Sequence, residues 1–232
     1  MPVGMIDEAL RKELFSLFER YYADVDYERF RRDMMEKDGL ILLVGEDGAP
    51  RGFSTLGVSR HEIGGETIRA LFSGDTIIDH RYWGEHAFAL AWLRRAGEIW
   101  RREPDAPLYW FLIVKGFRTY RYLPVFAREY WPHPHRPMPE RIRIIRDHLA
   151  TERFGENYDP RGGIVRFPKP RGRLKRPWLE LPENLRDRPE ARFFRRLNPH
   201  HARGDELVCL AELSPGNMPP FAARVFSRES GE

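Results

Sequence analysis

Seven consecutive residues, Leu108 to Val114 (LYWFLIV), are apolar at every position. A strand with one face in water alternates apolar and polar side chains, so an unbroken run of this kind belongs to a central strand covered on both faces. The sheet that holds it must carry other elements above and below. The run is also far too short to cross a bilayer.

The flanking sequence supplies that cover. Ile6, Leu10, Leu14, Leu17, Phe18 and Tyr21 recur every three or four residues, which predicts a helix over 6–22. Asp24 or Asp26 can cap a second helix that carries Phe30 and Met34 on one face and stops at Gly39. Two strands flank the turn residues of EDGAP (46–50) as a β-hairpin, and a third strand is predicted over 67–78. A helix is predicted over 83–102, burying Phe88, Ala91, Trp92 and Ile99. After the apolar strand a helical period resumes near Tyr120, with Pro124 placed near its first turn, and a further helix ends at Gly155. Shorter patterns follow: a strand in GGIVRF, a helix in PEARFFRRLN and a strand in GDELVCLAELS. The predicted fold is α+β, a mixed and mainly antiparallel central sheet with flanking helices in the order ααβββαβα, plus a C-terminal α/β extension. The organisation expected is a core over 1–155 and a segment over 156–232 that either completes the same domain or forms a small appendage.

Of 39 basic residues 34 are arginine, and the formal charge is +4. The bases are uneven. Residues 160–178, PRGGIVRFPKPRGRLKRPW, hold seven of them and no acid. Arginine forks suit phosphates and carboxylates, so this stretch suits an anionic partner. The single cysteine, Cys209, cannot form an internal disulfide and sits in an apolar strand as a small buried residue. With no secretory-type N-terminus, a reducing cytoplasm is the expected compartment.

In this order of elements the chain resembles the GCN5-related N-acetyltransferase (GNAT) superfamily over roughly residues 6–131. The resemblance extends to the turn Arg81-Tyr82-Trp83-Gly84-Glu85-His86-Ala87, which supplies the Arg and the first Gly of that family's pyrophosphate loop in register. It departs where His86 takes the second small position and Ala87 arrives one residue late. Small residues there let helix N-terminal amides approach a phosphate, so a histidine crowds that approach or lines the reaction centre instead.

The resemblance implies an acyltransferase that moves an acyl group from a CoA or acyl-carrier-protein thioester, through its phosphopantetheine arm, to a small-molecule amine acceptor. Ile77, Ile78, Arg81, Trp83, Gly84 and Ala87 would hold the donor, joined by Lys115 and Arg118 beyond the apolar strand. Asp75 and Glu85 are candidates for proton abstraction, His86 for donating a hydrogen bond or lining the reaction centre, and Tyr120, with neighbouring Tyr122, for protonating the thiolate. Plain structural roles stand beside these: Asp75 as a turn residue after Ser73-Gly74, the tyrosines as core. An acidic acyl carrier protein would suit the basic segment, and a homodimer is left open. No metal is expected, because His80, Glu85 and His86 lack the i, i+4 spacing that aligns two ligands on a helix. Two alternatives remain. One is a nucleic-acid-binding protein using residues 160–178 with Phe167 and Trp178; the other is an inactive scaffold of the same fold.

Overall fold

The computed structural model describes residues 1–228; the last four residues of the predicted 156–232 segment lie outside the described residues. In chain order the elements are α1 (Glu8–Tyr21), β1 (Tyr22–Ala23), α2 (Tyr27–Met35), β2 (Gly39–Val44), β3 (Pro50–Ile63) and β4 (Glu66–Ile78). There follow α3 (Ala87–Arg101), β5 (Leu108–Val114), the short helices α4 (Phe117–Tyr120) and α5 (Tyr122–Phe126), and α6 (Glu140–Phe154). The chain continues through β6 (Tyr158–Asp159), β7 (Ile164–Val165), β8 (Arg173–Leu174), α7 (Arg176–Leu179), α8 (Glu183–Arg186), α9 (Pro189–Leu197), β9 (Glu206–Glu212) and α10 (Pro220–Ser227).

Local chemistry sets the boundaries. The Asp7 carboxylate accepts from the Leu10 amide to start α1, and Asp26 accepts from Arg29 to start α2. Asp24 instead turns the chain between the two helices with φ of 59°. The helix predicted over 83–102 begins at Ala87, because Asp79 first caps a 3₁₀ turn over His80–Tyr82 and Gly84, at φ of 95°, breaks the chain direction. The helical period after β5 is split into α4 and α5. Helix α10, missed from the sequence, packs on α3 where a Cβ at Gly97 would run into the Phe226 carbonyl.

The main sheet has seven strands in the order β2-β3-β4-β5-β9-β7-β6, and β1 pairs with β8 in a separate two-stranded ribbon. Only β4 and β5 run parallel; the other neighbours are antiparallel. This is the mixed, mainly antiparallel α+β architecture expected from the sequence. Strand β5 is central and alternates between two cores. Trp110 and Leu112 pack with Trp92, Phe126, Cys209 and Phe226 on the side of α3 and α10. Tyr109 and Phe111 pack with Phe72 and Leu149 under α6. A third core, with Leu14, Leu17, Met34 and Phe53, seats α1 and α2.

Arg69 fixes the start of β4 to the end of α3. Its buried guanidinium donates to the carbonyls of Ile99, Trp100, Glu103 and Ala106 at 2.5–3.2 Å. These are carbonyls at and just past a helix C-terminus, where intrahelical donors run out and positive charge is favoured.

Candidate functional site

The site begins where the parallel strands part. Their ladder runs from Arg69↔Leu108 to Ser73↔Leu112 and ends there. Beyond it β4 stays paired with β3 and β5 with β9, so the facing edges of the two strands lose their hydrogen-bond partners. A bulge marks the parting. Ser54 pairs with Thr76 and Leu56 with Ser73, leaving Gly74 and Asp75 opposite the single residue Thr55. Glycine is required at 74, since a Cβ would sit 2.6 Å from Thr55 Oγ1. Hydrogen bonds from Thr76 Oγ1 to the Gly74 carbonyl (3.0 Å) and with Ser54 Oγ (2.7 Å) hold the bulge in shape.

Two cavities meet at this parting and share Tyr22, Thr76, Ala89, Thr119 and Tyr122 in their walls. The larger, about 810 Å³, is a groove beside the end of β4, the 83–86 turn and the start of α4. Ile77, Ile78, Trp83, Gly84, Glu85, His86 and Arg118 line it. Helix α3 opens towards the same turn. Its first intrahelical bond runs from the Leu90 amide to the His86 carbonyl, and no side chain caps it. The amides ahead of Leu90 are therefore donors without an intrahelical acceptor, at the positive end of the helix dipole.

The far wall of the groove comes from the basic segment. Trp178 packs against Tyr21, His80 and Trp83 at ring distances of 4.8, 4.9 and 5.7 Å. Arg118 lies 4.8 Å from the centre of the Trp83 ring and donates to the Trp178 and Glu180 carbonyls at 2.6 and 3.2 Å. Trp83 itself donates to the Ile78 carbonyl at 2.8 Å.

The smaller cavity, about 440 Å³, is a chamber reaching under α6. Asp75 projects from the bulge into it and makes no hydrogen bond or ion pair with another side chain among the described residues. Burial raises its pKa above the ordinary carboxylate value, against the opposing pull of Lys115 and Lys37. Lys115 is engaged elsewhere: it meets the buried Glu206 carboxylate at 3.2 Å and donates to the Arg171 carbonyl at 3.0 Å. Burial likewise raises the Glu206 pKa. Tyr122 stands at the junction of the two cavities with its pKa raised by burial, so its hydroxyl is protonated at neutral pH.

The residues singled out from the sequence thus divide. Asp75 and Lys115 line the chamber, whereas Ile77, Ile78, Trp83, Gly84, Glu85, His86 and Arg118 line the groove. Ala87 opens α3 as an exposed residue. Arg81 turns away from the groove, its guanidinium forked onto Asp79 at 2.9 and 3.1 Å. That contact holds the Asp79 pKa down to about 2. Tyr120 lines neither cavity; it is buried and donates to the Pro132 carbonyl at 2.8 Å. Cys209 is fully buried, and burial pushes its thiol pKa up. Lys37, Arg153 and Glu206 are chamber residues that the sequence pattern did not reveal.

Three of the seven bases in the basic segment pair with acids from outside it. Arg166 meets Asp205 at 2.7 Å, Arg173 meets Asp24 at 2.5 Å, and Arg176 meets Glu180 at 2.8 Å. Its two aromatic residues, Phe167 and Trp178, are cavity walls. One metal-type donor set occurs among the described residues: ligand atoms of His61, His148 and Glu152 lie within 4.8 Å of one another. The same atoms already form His–carboxylate contacts at 3.0 and 3.3 Å. No helix among the described residues is long and apolar enough to cross a membrane.

No protein-family model matches this chain, and no curated protein does. Among solved structures it is similar to a conserved protein of unknown function from Enterococcus faecalis, at 12% identity and a TM-score of 0.42, over 54% of this chain and 32% of that one. It is similar to the GNAT family N-acetyltransferase YhbS from Escherichia coli in complex with CoA, at 12% identity and a TM-score of 0.38, over 50% and 64% of the two chains. A mutant of the BH1408 protein from Bacillus halodurans gives 14% identity and a TM-score of 0.37, over 60% and 97%. This chain therefore spans about a third of the first protein and just under two thirds of the second. Likenesses of this size carry nothing about activity.

Proposed function

We propose that the protein is an acyltransferase that moves an acyl group from a phosphopantetheine thioester, on CoA or an acyl carrier protein, to an amine. The single observation that carries this reading is the parting of β4 and β5 beyond Ser73 and Leu112, with two cavities that meet at it. An acyl thioester needs an extended slot with free backbone groups for its amide-bearing arm, an anion site for its phosphates, and a second entrance for the acceptor. The free edge of β4 supplies the slot. The uncapped start of α3, after Gly84, supplies amides for phosphate. The chamber supplies the second entrance.

In the reaction the amine nitrogen attacks the thioester carbonyl carbon, forming the C–N bond as the C–S bond breaks. Asp75 accepts a proton from the attacking nitrogen, and the raised pKa of its unpaired carboxylate suits a base working nearer neutral pH. Tyr122 gives its hydroxyl proton to the departing thiolate. The products are the amide and the free thiol, with the proton on Asp75 passing to solvent and from solvent to Tyr122. His86 stands at the phosphate end, where its imidazole can donate a hydrogen bond to the donor in place of a backbone amide.

The test is a thermal shift of the pure protein with CoA, acetyl-CoA, a long-chain acyl-CoA and a polyanion control. A rise in midpoint specific to one thioester, followed by amine-dependent release of free thiol, supports the reading. The absence of both with every CoA ester and with an acylated carrier protein overturns it and favours an inactive scaffold.

A further inference from the structure

Resting on that reading, we propose that the acceptor is a small zwitterion, an amine that also carries a carboxylate, with its anionic end held by Arg153 and Lys37 and its amine presented to Asp75.

The chamber holds both signs of charge in an arrangement that its own residues leave incomplete. Arg153, from α6, lies over the Phe72 ring at 3.9 Å, and Lys37, just after α2, approaches the same ring at 5.5 Å. Two cations brought to one aromatic ring repel each other, and this repulsion, after burial itself, is what lowers the Lys37 pKa. Neither makes a hydrogen-bonded ion pair among the described residues, although the charges of Asp33, Glu36 and Asp75 act on both. The nearest approach to Arg153 is Glu36 at 3.9 Å, and Lys37 donates to the neutral Asp33 carbonyl at 2.7 Å. The guanidinium fork of Arg153 donates no hydrogen bond among the described residues, although five donors are available to it.

The opposite sign is equally unpaired. Asp75 points into the same chamber with no side-chain partner, and its charge adds to the burial that raises the pKa of both Asp33 and Glu206. The other cations lining the chamber are already occupied: Lys115 by Glu206, and Arg171 over the Phe167 ring at 3.9 Å. Five carboxylates and four lysine or arginine side chains line the chamber, so its formal charges nearly cancel.

A ligand that completes this arrangement brings an anion for Arg153 and Lys37 and an ammonium for Asp75 at once. The ammonium first gives one proton through Asp75 to solvent, and the free amine then attacks and loses its next proton to Asp75 as the C–S bond breaks. An uncharged or purely cationic amine would leave the arginine fork facing only water. A diamine would set a second positive charge against two cations. The chamber volume, about 440 Å³, is the size of a small-molecule site, which suits an amino acid or a short peptide better than a folded protein's surface. The Phe72, Phe111, Phe154 and Phe167 rings in its walls favour an apolar side chain branching beside the two charges.

The test uses matched sets of amines on the full-length chain: a free amino acid, its carboxamide and the corresponding decarboxylated amine, with phenylalanine and leucine as two such sets. Two signals are read, the thermal shift produced by the amine alone and thiol release with the thioester selected by the donor screen. The expected result is a thermal shift with the amino acids only, and a kcat/KM about ten- to a hundredfold above the carboxamide, the size of one charge-assisted contact. In Arg153→Gln and Lys37→Met that ratio falls towards one through KM, while a donor-induced thermal shift shows that each variant is folded. A wild-type preference for the carboxamide or plain amine, or a preference for the acid that survives both substitutions, overturns the proposal. Should no thioester be cleaved at all, the acyltransferase reading fails by itself. The amino-acid thermal shift and its loss in Arg153→Gln then still decide the chamber's ligand.

Discussion

Ser73 and Leu112 form the last rung of the parallel ladder between β4 and β5, and Trp110 locks that rung from below by donating its indole N–H to Ser73 Oγ at 2.7 Å. The strands are held together up to this point and diverge immediately past it, because the Gly74–Asp75 bulge re-aims β4 while β5 continues along β9. The same bulge that opens the slot delivers the Asp75 carboxylate into the chamber. Opening and chemistry are thus consequences of one two-residue irregularity.

Asp75→Asn separates these consequences. An ordinary aspartate titrates near ~3.9, and burial lifts the folded value above that. The stability contribution of such a group is present below the ordinary value and is lost as pH rises through the lifted one. The asparagine variant removes that loss. Its unfolding midpoint should exceed wild type at pH 7 and converge with it near pH 4, while amine-dependent thiol release falls by about 10²–10⁴. A midpoint unchanged at pH 7 would mean that Asp75 is solvated as an ordinary surface carboxylate.

Gly84→Val tests the turn. At φ of 95° the position lies where side-chain residues are strained, yet a Cβ there meets nothing within 4 Å. The substitution should therefore cost about 1–2 kcal/mol of stability through conformation alone. If the amides after it hold the donor's phosphates, the CoA-induced thermal shift should also shrink or vanish. A full shift in the variant would detach the turn from donor binding.

Tyr122→Phe and Tyr120→Phe should behave differently, although the two residues are separated by only one position. Tyr120 donates to the Pro132 carbonyl, so its loss leaves a buried acceptor unpaired and should lower stability by about 1–3 kcal/mol. Tyr122 lines both cavities. Its phenylalanine variant should retain stability and slow thiol release, most clearly with poor leaving groups. Equal activity in the two variants would remove Tyr122 from the chemistry.

The legible and illegible parts of the molecule divide along a physical line. Strand β5 could be read from sequence because burial on both faces leaves an unbroken apolar run, and α1 because its apolar spacing is local. The turn at Gly84 was legible only in part: its glycine marked it, but the helix predicted over 83–102 ran through it, whereas α3 starts at Ala87. The chamber was not, because Lys37, Asp75, Arg153 and Glu206 come from positions far apart in the chain and only tertiary packing brings them together. Tyr122 was hard to prefer over Tyr120 because the helical period breaks at Arg121, which ends α4 and opens α5 and so resets which face points inward. Arg81 matched a motif position, but its nearest carboxylate, Asp79, is two residues away and takes the guanidinium first.

Arg69→Leu should be among the most destabilising single changes in the chain. The buried guanidinium serves four carbonyls around the end of α3, and leucine leaves them without donors. Even with water reaching some of them, a loss of at least about 2 kcal/mol is expected, read as a lower denaturant midpoint. A loss of only a few tenths would mean that solvent already satisfies that helix end.

The Asp79–Arg81 pair should give the acid limb of the stability profile a distinct signature. The Asp79 side chain is nearly inaccessible, caps the 3₁₀ turn through the Arg81 amide, and is surrounded by Arg81, Arg20 and His80. Hydrogen bonds from Arg81, foremost, hold its pKa down to about 2. A carboxylate depressed in the folded state contributes stability that is present above its unfolded pKa, near ~3.9, and lost as pH falls through the folded value. The depression corresponds to about 2–3 kcal/mol at neutral pH, from ~1.4 kcal/mol per pKa unit. Asp79→Asn should therefore lower stability by roughly that amount at pH 7 and by progressively less below pH 4, the reverse of the Asp75→Asn profile. Because the turn carries Gly84 and leads into α3, the variant should also weaken the CoA-induced thermal shift at pH 7. Loss of stability with a full CoA shift would show that the groove keeps its shape without this cap, and that Arg81 serves the fold alone.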